Sequence, residues 1–329
     1  MGDLRAGVIG LGIMGRNHAR VLSDLPGVTL VGIVDPIVSN QLSQGQLLRS
    51  TEELIKKGVD YCFVAVPTAA HENVGQLLAS SGVHALIEKP LAADISSAKR
   101  LTTDFESRGL IGAVGHIERY NPALRQARDR IETGDLGELY QVATRRQGPF
   151  PARVADVGVV MDLATHDVDL TAWITQQRYS SLAARTGHRT GRQYEDLVTV
   201  VGELQDGVVA SHTVNWLSPF KDRQTVVTGE RGAFVADTLT ADLTFYANGS
   251  ITAEWDEMAR SRGVSEGDVI RFAFPKPEPL RAEHEAFRDV VLGRDSNIVT
   301  MREGLAAVEV AQAILESAQT GQSITPASV

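Results

Sequence analysis

Two short apolar runs near the start of the chain flank a segment in which apolar residues recur at helical spacing. The first run covers Leu4–Ile9 and the second covers Val28–Val34, each as long as one β-strand. Between them, apolar residues recur every three or four positions over Met14–Leu25, and Pro26-Gly27 then ends the pattern. The order predicts a strand, a helix and a second strand.

The same alternation continues to about residue 115. The near-continuous apolar run Asp60–Val66 is typical of a parallel strand that is buried on both faces. The other elements predicted here are helices Thr51–Lys57, Ala69–Ser81 and Ile95–Arg108 and strands His84–Ile87 and Leu110–Gly115. Such alternation predicts a doubly wound parallel sheet of the α/β class.

The pattern changes after Glu118, where strands with turn residues between them dominate. The predicted elements are helices Pro122–Glu132, Val160–Thr175, Leu280–Leu292 and Arg302–Ser317 and strands Leu139–Arg145, Tyr179–Thr186, Leu197–Leu204, Val208–Asn215, Gln224–Gly229, Ala233–Asp237 and Leu243–Ala247. We therefore predict two domains, residues 1–118 and residues 119–329. The second is an α+β domain with a large, mostly antiparallel sheet.

Length, charge and cysteine content narrow the class of protein. A chain of 329 residues can bury two cores without structural metal, so no metal site is predicted. The formal net charge of −9 disfavours a nucleic-acid surface. Cys62 is the single cysteine, which rules out an intramolecular disulfide and favours the cytoplasm. Neither a signal-peptide pattern nor an apolar run of membrane-spanning length is present, so no membrane partner is expected.

Three glycines at GxGxxG spacing separate the first strand from the first helix. Gly10 permits a tight turn, Gly12 lets the backbone approach a pyrophosphate, and Gly15 allows the helix to pack on the strand. Asp35 follows the second strand 20 residues after Gly15, where a carboxylate can bind ribose hydroxyls and repel a 2′-phosphate. The sequence predicts a dinucleotide site that prefers NAD to NADP. A glycine turn without a ligand is the alternative.

Further candidate residues follow the other predicted strands. Because parallel strands end at a common sheet edge, these segments are expected to border one crevice. Lys89 stands between a buried strand and a proline at that edge, and an ammonium there can stabilise a developing alkoxide. His116 follows the last strand of the domain. The residues assigned to the cofactor are Gly10, Gly12, Ile13, Met14, Gly15, Asp35, Pro67, Thr68, His71, Glu88 and Lys89.

Helix Val160–Thr175 carries a second candidate group. Asp162, His166 and Asp169 are spaced by four and three positions, so they share one helical face. Histidine is a natural proton acceptor near neutral pH, and a carboxylate one turn away can orient its ring. In the alternative, Asp162 only favours the helix N-terminus electrostatically and His166 is a packed or solvated residue.

These residues together resemble the glucose-fructose oxidoreductase and inositol dehydrogenase family (Gfo/Idh/MocA) over nearly the full length. The motifs are the glycine fingerprint, Glu88-Lys89-Pro90, and Asp162 with His166 four positions later. The resemblance implies an N-terminal Rossmann domain and NAD(P)-dependent oxidation or reduction of a sugar or cyclitol hydroxyl carbon. It assigns Lys89, Asp162 and His166 as the catalytic group, and it implies a cis Lys89–Pro90 bond.

Three segments resemble the branch of that family that contains UDP-N-acetylglucosamine 3-dehydrogenases. They are residues 115–122, 148–153 and 215–217. The substrate residues assigned are Glu118, Tyr120, Asn121, Arg153, Asp162 and His166, with Arg153 as the first candidate for a diphosphate. Cations near the expected pocket are Arg145, Arg146, Arg153, Lys221 and Arg223. Arginine can pair two phosphate oxygens at once, while solvated strand-edge charges are the alternative.

The predicted function is hydride transfer between a nicotinamide and a secondary hydroxyl carbon of a sugar, C3 of a UDP-N-acetylamino sugar in the first instance. The alternative enzyme is an inositol or free-sugar dehydrogenase. The alternative that is not an enzyme is an NAD-binding sensor. The expected partners are a small-molecule sugar or nucleotide sugar and further copies of the chain, in a homodimer or homotetramer.

Overall fold

The structure, a computed structural model, describes residues 2–37, 45–151, 157–249 and 266–327. The chain divides into two compact units. The first runs to Ile117 and also includes Pro277–Gln312, whereas the second consists of Glu118–Lys276 and Ala313–Ala327. The prediction from the sequence divided the chain at residue 118 and placed residues 277–312 in the second domain, whereas these compact units place residues 277–312 in the first.

The first unit contains a six-stranded parallel sheet with helices between the strands. The elements are β1 (Leu4–Ile9), α1 (Ile13–Ser23), β2 (Val28–Val34), β3 (Leu47–Leu48), α2 (Thr51–Lys56), β4 (Tyr61–Val64), α3 (His71–Ser80), β5 (His84–Glu88), α4 (Ile95–Ser107) and β6 (Gly112–Gly115). The strand order is β3-β2-β1-β4-β5-β6, and every pair is parallel. The doubly wound prediction is confirmed.

The second unit contains an eight-stranded sheet in the order β14-β13-β12-β11-β7-β10-β9-β8. Its elements are α5 (Pro122–Glu132), β7 (Leu139–Pro149), a π-helical turn (Val160–Ala164), α6 (Thr165–Thr175), β8 (Tyr179–Gly187), β9 (Leu197–Leu204), β10 (Val209–Asn215), β11 (Leu217–Gly229), β12 (Gly232–Asp237), β13 (Asp242–Asn248) and β14 (Glu266–Arg271). All neighbouring strands are antiparallel except β7 and β10. The mostly antiparallel sheet is therefore confirmed.

Alternate residues along the strands of the second sheet differ in burial. Val198 and Val200 on β9 are fully buried, whereas Val201 and, on β10, Val209 are 54% and 42% exposed. A period of two is expected where one face of a sheet meets a core and the other meets solvent.

Two helices end the chain, α7 (Pro279–Val291) and α8 (Met301–Thr320). Phe287 of α7 is fully buried, and its ring lies edge-on to Tyr61 and Phe63 of β4, with ring centres 5.5 and 5.7 Å away. These aromatic contacts explain why residues 277–312 pack with the first unit although they follow the second in sequence. None of the described helices combines the length and the apolar character needed to cross a membrane.

Candidate functional site

The glycine loop after β1 is shaped by the backbone around it. Gly10 has a φ of +96°, and a Cβ there would lie 2.4 Å from the carbonyl oxygen of Ala65. A Cβ on Gly15 would lie 1.8 Å from the carbonyl oxygen of Gly10. A Cβ on Gly12 would meet no atom within 4 Å. Gly10 and Gly15 are thus required by the fold, whereas Gly12 borders open space of the kind a pyrophosphate needs.

Helix α1 begins directly at this loop. Ile13 and Met14 are its first residues, Gly12 is its N-cap, and the side chain of Ile13 is 62% exposed. Among the described residues, none caps this helix end with a side chain, and the first turn carries no acidic residue. Backbone N–H groups at such an end attract phosphate, so the loop and the helix fit a dinucleotide.

Asp35 lies beside the glycine loop at the end of β2. Its Oδ2 accepts a hydrogen bond from the backbone N–H of Leu11 at 2.8 Å, and its Oδ1 accepts one from Ile37 at 2.9 Å. The loop therefore fixes the position of the carboxylate that the sequence assigned to the ribose. Both features belong to neighbouring strands, as the predicted crevice requires.

The ring of His71 contacts the backbone of the two segments that follow β4 and β5. A short 3₁₀ helix (Thr68–Ala70) follows β4, with Pro67 as its N-cap and His71 directly after it. The buried ring places Nδ1 3.0 Å from the carbonyl oxygen of Pro90 and Nε2 3.1 Å from that of Val66. Burial lowers the pKa of His71. His71 therefore supports the two cofactor-side segments from inside the fold.

The Glu88-Lys89-Pro90 segment begins at the last residue of β5, and its Lys89–Pro90 bond is cis, as expected. Lys89 is half-buried. Glu88 accepts two hydrogen bonds, from the ring of His18 at 2.9 Å and from the backbone N–H of Lys89 at 3.2 Å. Burial alone would raise the pKa of Glu88, but the hydrogen bond and charge of His18 outweigh burial and lower it. Glu88 is therefore a buried, ionised carboxylate.

In the second unit, Asp162 and His166 lie on one helical run and are only 6% and 8% exposed. The turn that carries Asp162 is π-helical, and α6 continues from Thr165. Glu195 closes the start of this run: its Oε1 accepts a hydrogen bond from the N–H of Val160 at 2.9 Å. π-Helical turns are frequent at functional sites. Sequence analysis did not single out Glu195, because nothing in its local pattern marks it.

The residues that follow His166 on α6 form buried ion pairs. Asp167 accepts from Arg146 Nε at 2.9 Å, and Arg146 also donates to Glu118 at 2.7 Å. Burial alone would lower the pKa of Arg146, but the charges of the two carboxylates outweigh burial and raise it. Asp169 is bound by both Nε and Nη2 of Arg119, at 2.9 and 2.6 Å. Arg146 is thus not a solvated strand-edge charge, which was the alternative for the five cations, and Asp169 neutralises an arginine.

Arg223 and Arg145 have different surroundings. Arg145 is about half exposed and pairs with Asp222 at 3.1 Å. Arg223 is 31% exposed and lies 3.7 Å from Glu118. Burial, followed by the charge of Arg146, lowers the pKa of Arg223. Lys221 is exposed at the surface. A poorly solvated guanidinium beside a second cation gains more from a bound anion than an exposed, paired one does.

The remaining predicted substrate residues differ in the contacts they make. Tyr120 is buried. Asn121 caps α5, since its Oδ1 accepts from Ala123 N at 3.0 Å and its Nδ2 donates to the carbonyl oxygen of Thr238 at 3.0 Å. Arg153 lies outside the described residues. Within the described ranges, no cluster of three or more metal-ligating side chains is found.

Two family models match most of the chain. Residues 4–116 match the NAD-binding Rossmann fold of the Gfo/Idh/MocA oxidoreductase family, and residues 124–235 match the C-terminal domain of the same family. The two matches correspond to the parallel sheet and to much of the antiparallel sheet described above.

Individual relatives include sugar and cyclitol enzymes. A UDP-N-acetylglucosamine 3-dehydrogenase of Acidithiobacillus ferrooxidans is 32% identical over 213 residues, 63% of this chain and 66% of that enzyme. The structure of GnnA, the UDP-N-acetylglucosamine 3-dehydrogenase from that species, has a TM-score of 0.84 at 25% identity, over 97% of this chain and 99% of its own. A scyllo-inositol 2-dehydrogenase (NAD(+)) of Bacillus subtilis is 28% identical over 261 residues, 72% of this chain and 75% of its own.

A ligand-bound relative is similar at the level of the whole fold. The structure of GenD2 from gentamicin A biosynthesis, in complex with NAD, has a TM-score of 0.79 at 25% identity, over 100% of this chain and 97% of its own. On the two family matches, this chain belongs to the Gfo/Idh/MocA family of oxidoreductases and carries the NAD-binding Rossmann domain of that family.

Proposed function

We propose that this protein is an NAD-dependent dehydrogenase that oxidises a secondary hydroxyl group of a sugar, at C3 of a UDP-linked N-acetylamino sugar. The observation that carries the proposal is the position of Lys89. It follows β5, which is separated from the strand of the glycine loop only by β4, so the ammonium and the dinucleotide cradle belong to the same sheet edge.

The chain's own residues divide the work of the reaction. Bound nicotinamide would accept the hydride from the carbon that carries the hydroxyl group. His166 takes the hydroxyl proton as general base, and Asp162 orients the ring or the hydroxyl group. Lys89 stabilises the negative charge that develops on the oxygen. A sensor that only bound NAD would need the glycine loop but none of these three residues.

Asp35 supports NAD as the cofactor. A carboxylate fixed beside the glycine loop accepts hydrogen bonds from ribose hydroxyls and repels a 2′-phosphate. Fluorescence titration with NADH and NADPH tests this point, and we expect NADH to bind at least tenfold more tightly, a difference of about 1.4 kcal/mol. Tighter binding of NADPH would contradict it.

We choose a nucleotide sugar over an inositol because of similarity to known enzymes and because arginines are available to bind a diphosphate. The Acidithiobacillus ferrooxidans relative acts on UDP-N-acetylglucosamine, whereas the Bacillus subtilis relative acts on scyllo-inositol. Arg223 offers a partly desolvated guanidinium in the same unit as Asp162, which suits a diphosphate. Arg153 is the second candidate, on the sequence alone. An inositol dehydrogenase remains the alternative.

A substrate panel separates these possibilities. UDP-N-acetylglucosamine, free N-acetylglucosamine, myo-inositol and scyllo-inositol are each offered with NAD, and reduced nicotinamide is followed by absorbance. We expect turnover of the UDP-sugar only. Lys89→Ala should lower kcat by about 10²-fold and leave the Kd for NAD nearly unchanged, because the ammonium acts on charge that develops during reaction. Turnover of the inositols alone would establish the alternative.

Arg223 has a matched control in Arg145, which is another arginine of the same sheet. Arg223→Gln should raise KM for the UDP-sugar by about tenfold or more with little change in kcat, as expected for the loss of one charge-assisted contact. Arg145→Gln should leave both constants near those of wild type, since Arg145 already pairs with Asp222. Equal KM values for the two variants would remove Arg223 from the substrate site.

The proposal also includes the oligomeric state of the protein and its location in the cytoplasm. The solvent-facing side of the eight-stranded sheet, with exposed Val201 and Val209, supports pairing of two copies into a homodimer or homotetramer. Light scattering after size exclusion would measure the mass directly. Subcellular fractionation would test the cytoplasmic location.

A further inference from the structure

A chain of buried hydrogen bonds ends on the segment that carries Lys89. His18, on α1, is fully buried, and its Nε2 lies 2.9 Å from Oε1 of Glu88. Its Nδ1 lies 2.8 Å from Nε2 of His284 on α7, which is also fully buried. The second carboxylate oxygen of Glu88 accepts the backbone N–H of Lys89. All four residues belong to the first unit.

The charge of Glu88 sets the direction of its hydrogen bond with His18. Glu88 is ionised and can only accept, so Nε2 of His18 is the donor. Burial lowers the pKa of His284 far below its usual range, so its ring is neutral and carries one N–H. Nε2 of this neutral ring lies 2.8 Å from Nδ1 of His18. The ring of His18 is thus held at both nitrogens, by Glu88 and by His284.

The packing around the two rings limits their movement. The ring of Phe63 stacks on His284 at 3.8 Å with an interplanar angle of 14°, and on His18 at 4.9 Å. Stacked rings that are also hydrogen-bonded at both edges have one orientation available. The imidazole of His18 therefore presents Nε2 to Glu88 from a fixed direction.

Four titratable groups act on Glu88. They lie on four different elements: His18 on α1, His71 on α3, Glu283 on α7, and Lys89 on its own segment. Burial, and next the charge of Glu88, raise the pKa of Glu283 well above its usual range, so Glu283 carries a proton. Glu88 therefore remains the negative charge of this cluster, and His18 is the group in direct hydrogen-bond contact with that charge.

We propose that His18, held in place by His284, is a positioning residue for Lys89: it fixes the carboxylate of Glu88, and that carboxylate holds the backbone of Lys89. The proposal rests on the catalytic role given to Lys89 above. It also gives α1 two tasks, because the helix that starts at the cofactor loop carries, one turn further on, the imidazole that orders the catalytic segment.

Two substitutions of His18 separate the two ends of the ring. A glutamine places its amide nitrogen near the position of Nε2 and keeps the donor to Glu88, whereas an asparagine ends near Nδ1 and reaches only His284. His18→Asn should lower kcat by about 10²-fold, the cost of a misplacement of about 1 Å, with the Kd for NAD within threefold of wild type. His18→Gln should recover at least tenfold of that loss.

The pH profile distinguishes positioning from a loss of packing. Without the donor of His18, burial of Glu88 is opposed only by the charges of Lys89 and His71, so its pKa rises and the carboxylate is protonated at higher pH. The acid limb of kcat should move to higher pH in His18→Asn and return towards wild type in His18→Gln. His212→Asn is the matched control, since this histidine is equally buried but lies in the second unit. It should lower the melting temperature without moving the profile.

Hydrogen exchange of the Lys89 amide, measured by NMR, requires no turnover. The N–H that donates to Glu88 should exchange faster in His18→Asn than in His18→Gln, His212→Asn or wild type, by about tenfold or more. Equal exchange and equal kcat in the two His18 variants would overturn the proposal. If no sugar in the panel is oxidised, the proposed function fails, whereas the exchange rates still decide the role of His18.

Discussion

His212 offers a quantitative test of how the second sheet buries a titratable group. It lies on β10, is 1% exposed, and contacts Oγ1 of Thr144 through Nδ1 at 2.8 Å and the hydroxyl of Tyr179 through Nε2 at 2.7 Å. Hydroxyl groups can donate or accept, so both contacts are satisfied by a neutral ring. Burial lowers the pKa of His212 from 6.5 to about 4.

The sign and size of the effect follow from linkage. Because the pKa is lower in the folded state, the unfolded chain binds the proton more readily, and acid favours unfolding. The contribution of the neutral ring is fully present above the unfolded pKa of 6.5 and is lost as the pH falls towards 4. At pH 5 the loss is about 2 kcal/mol, and below pH 4 it approaches about 3.4 kcal/mol.

Urea unfolding followed by tryptophan fluorescence measures this loss of unfolding free energy in the second unit, which contains His212. Trp173 and Trp216 lie in the described part of the second unit. Between pH 7.5 and pH 5, wild type should lose about 2 kcal/mol more unfolding free energy than His212→Gln, in which no group titrates at this position. Losses that agree within about 0.5 kcal/mol would show that the ring is already protonated or is hydrated at pH 5.

Two further predictions test the cofactor loop and the buried ion pairs. Gly12→Ala should have a melting temperature within a few degrees of wild type. It should nevertheless bind NADH at least tenfold more weakly, a loss of about 1.4 kcal/mol. Gly15→Ala should have a much lower melting temperature, because its Cβ would collide with Gly10. Melting curves and fluorescence titration measure both, and unaltered NADH binding by Gly12→Ala would contradict the role of that opening. Arg146→Met should lower the unfolding free energy by about 3–5 kcal/mol, because it leaves two buried carboxylates uncompensated. Arg145→Met should lower it by less than about 0.5 kcal/mol. Similar losses in the two variants would refute the distinction between a buried and an exposed ion pair.

The parts of the fold that sequence predicted best are those with a strong apolar pattern. The observed bounds of β1 and β2 agree with the prediction because each is a mostly apolar run that a glycine turn or Asp35 ends. Leu47–Leu48 was missed because two residues carry no periodicity. Glu266–Arg271 was missed because this edge strand begins with polar residues and exposes Val269 and Ile270, so alternation does not stand out.

For the site, local motifs were predictable and long-range partners were not. The strand-turn-helix context located Gly10–Gly15 and Asp35, and the structure places them side by side. His18 and His284, in contrast, are 266 positions apart, and no local pattern relates them. The one sequence signal was a histidine on the apolar stripe of α1, between Gly15 and Leu22, where helical spacing places it towards the sheet.

Each unit contains a buried carboxylate that pairs with a residue of the same unit. In the first, His18 is the partner of Glu88; in the second, Arg146 is the partner of Asp167. Leaving a buried charge uncompensated is more costly than any surface pairing gains, so these pairs form as each unit folds. The carboxylate that accepts the N–H of Lys89 is therefore held by a histidine of the same unit. Preorganisation of this kind is effective in catalysis because no charge has to be reoriented during the reaction.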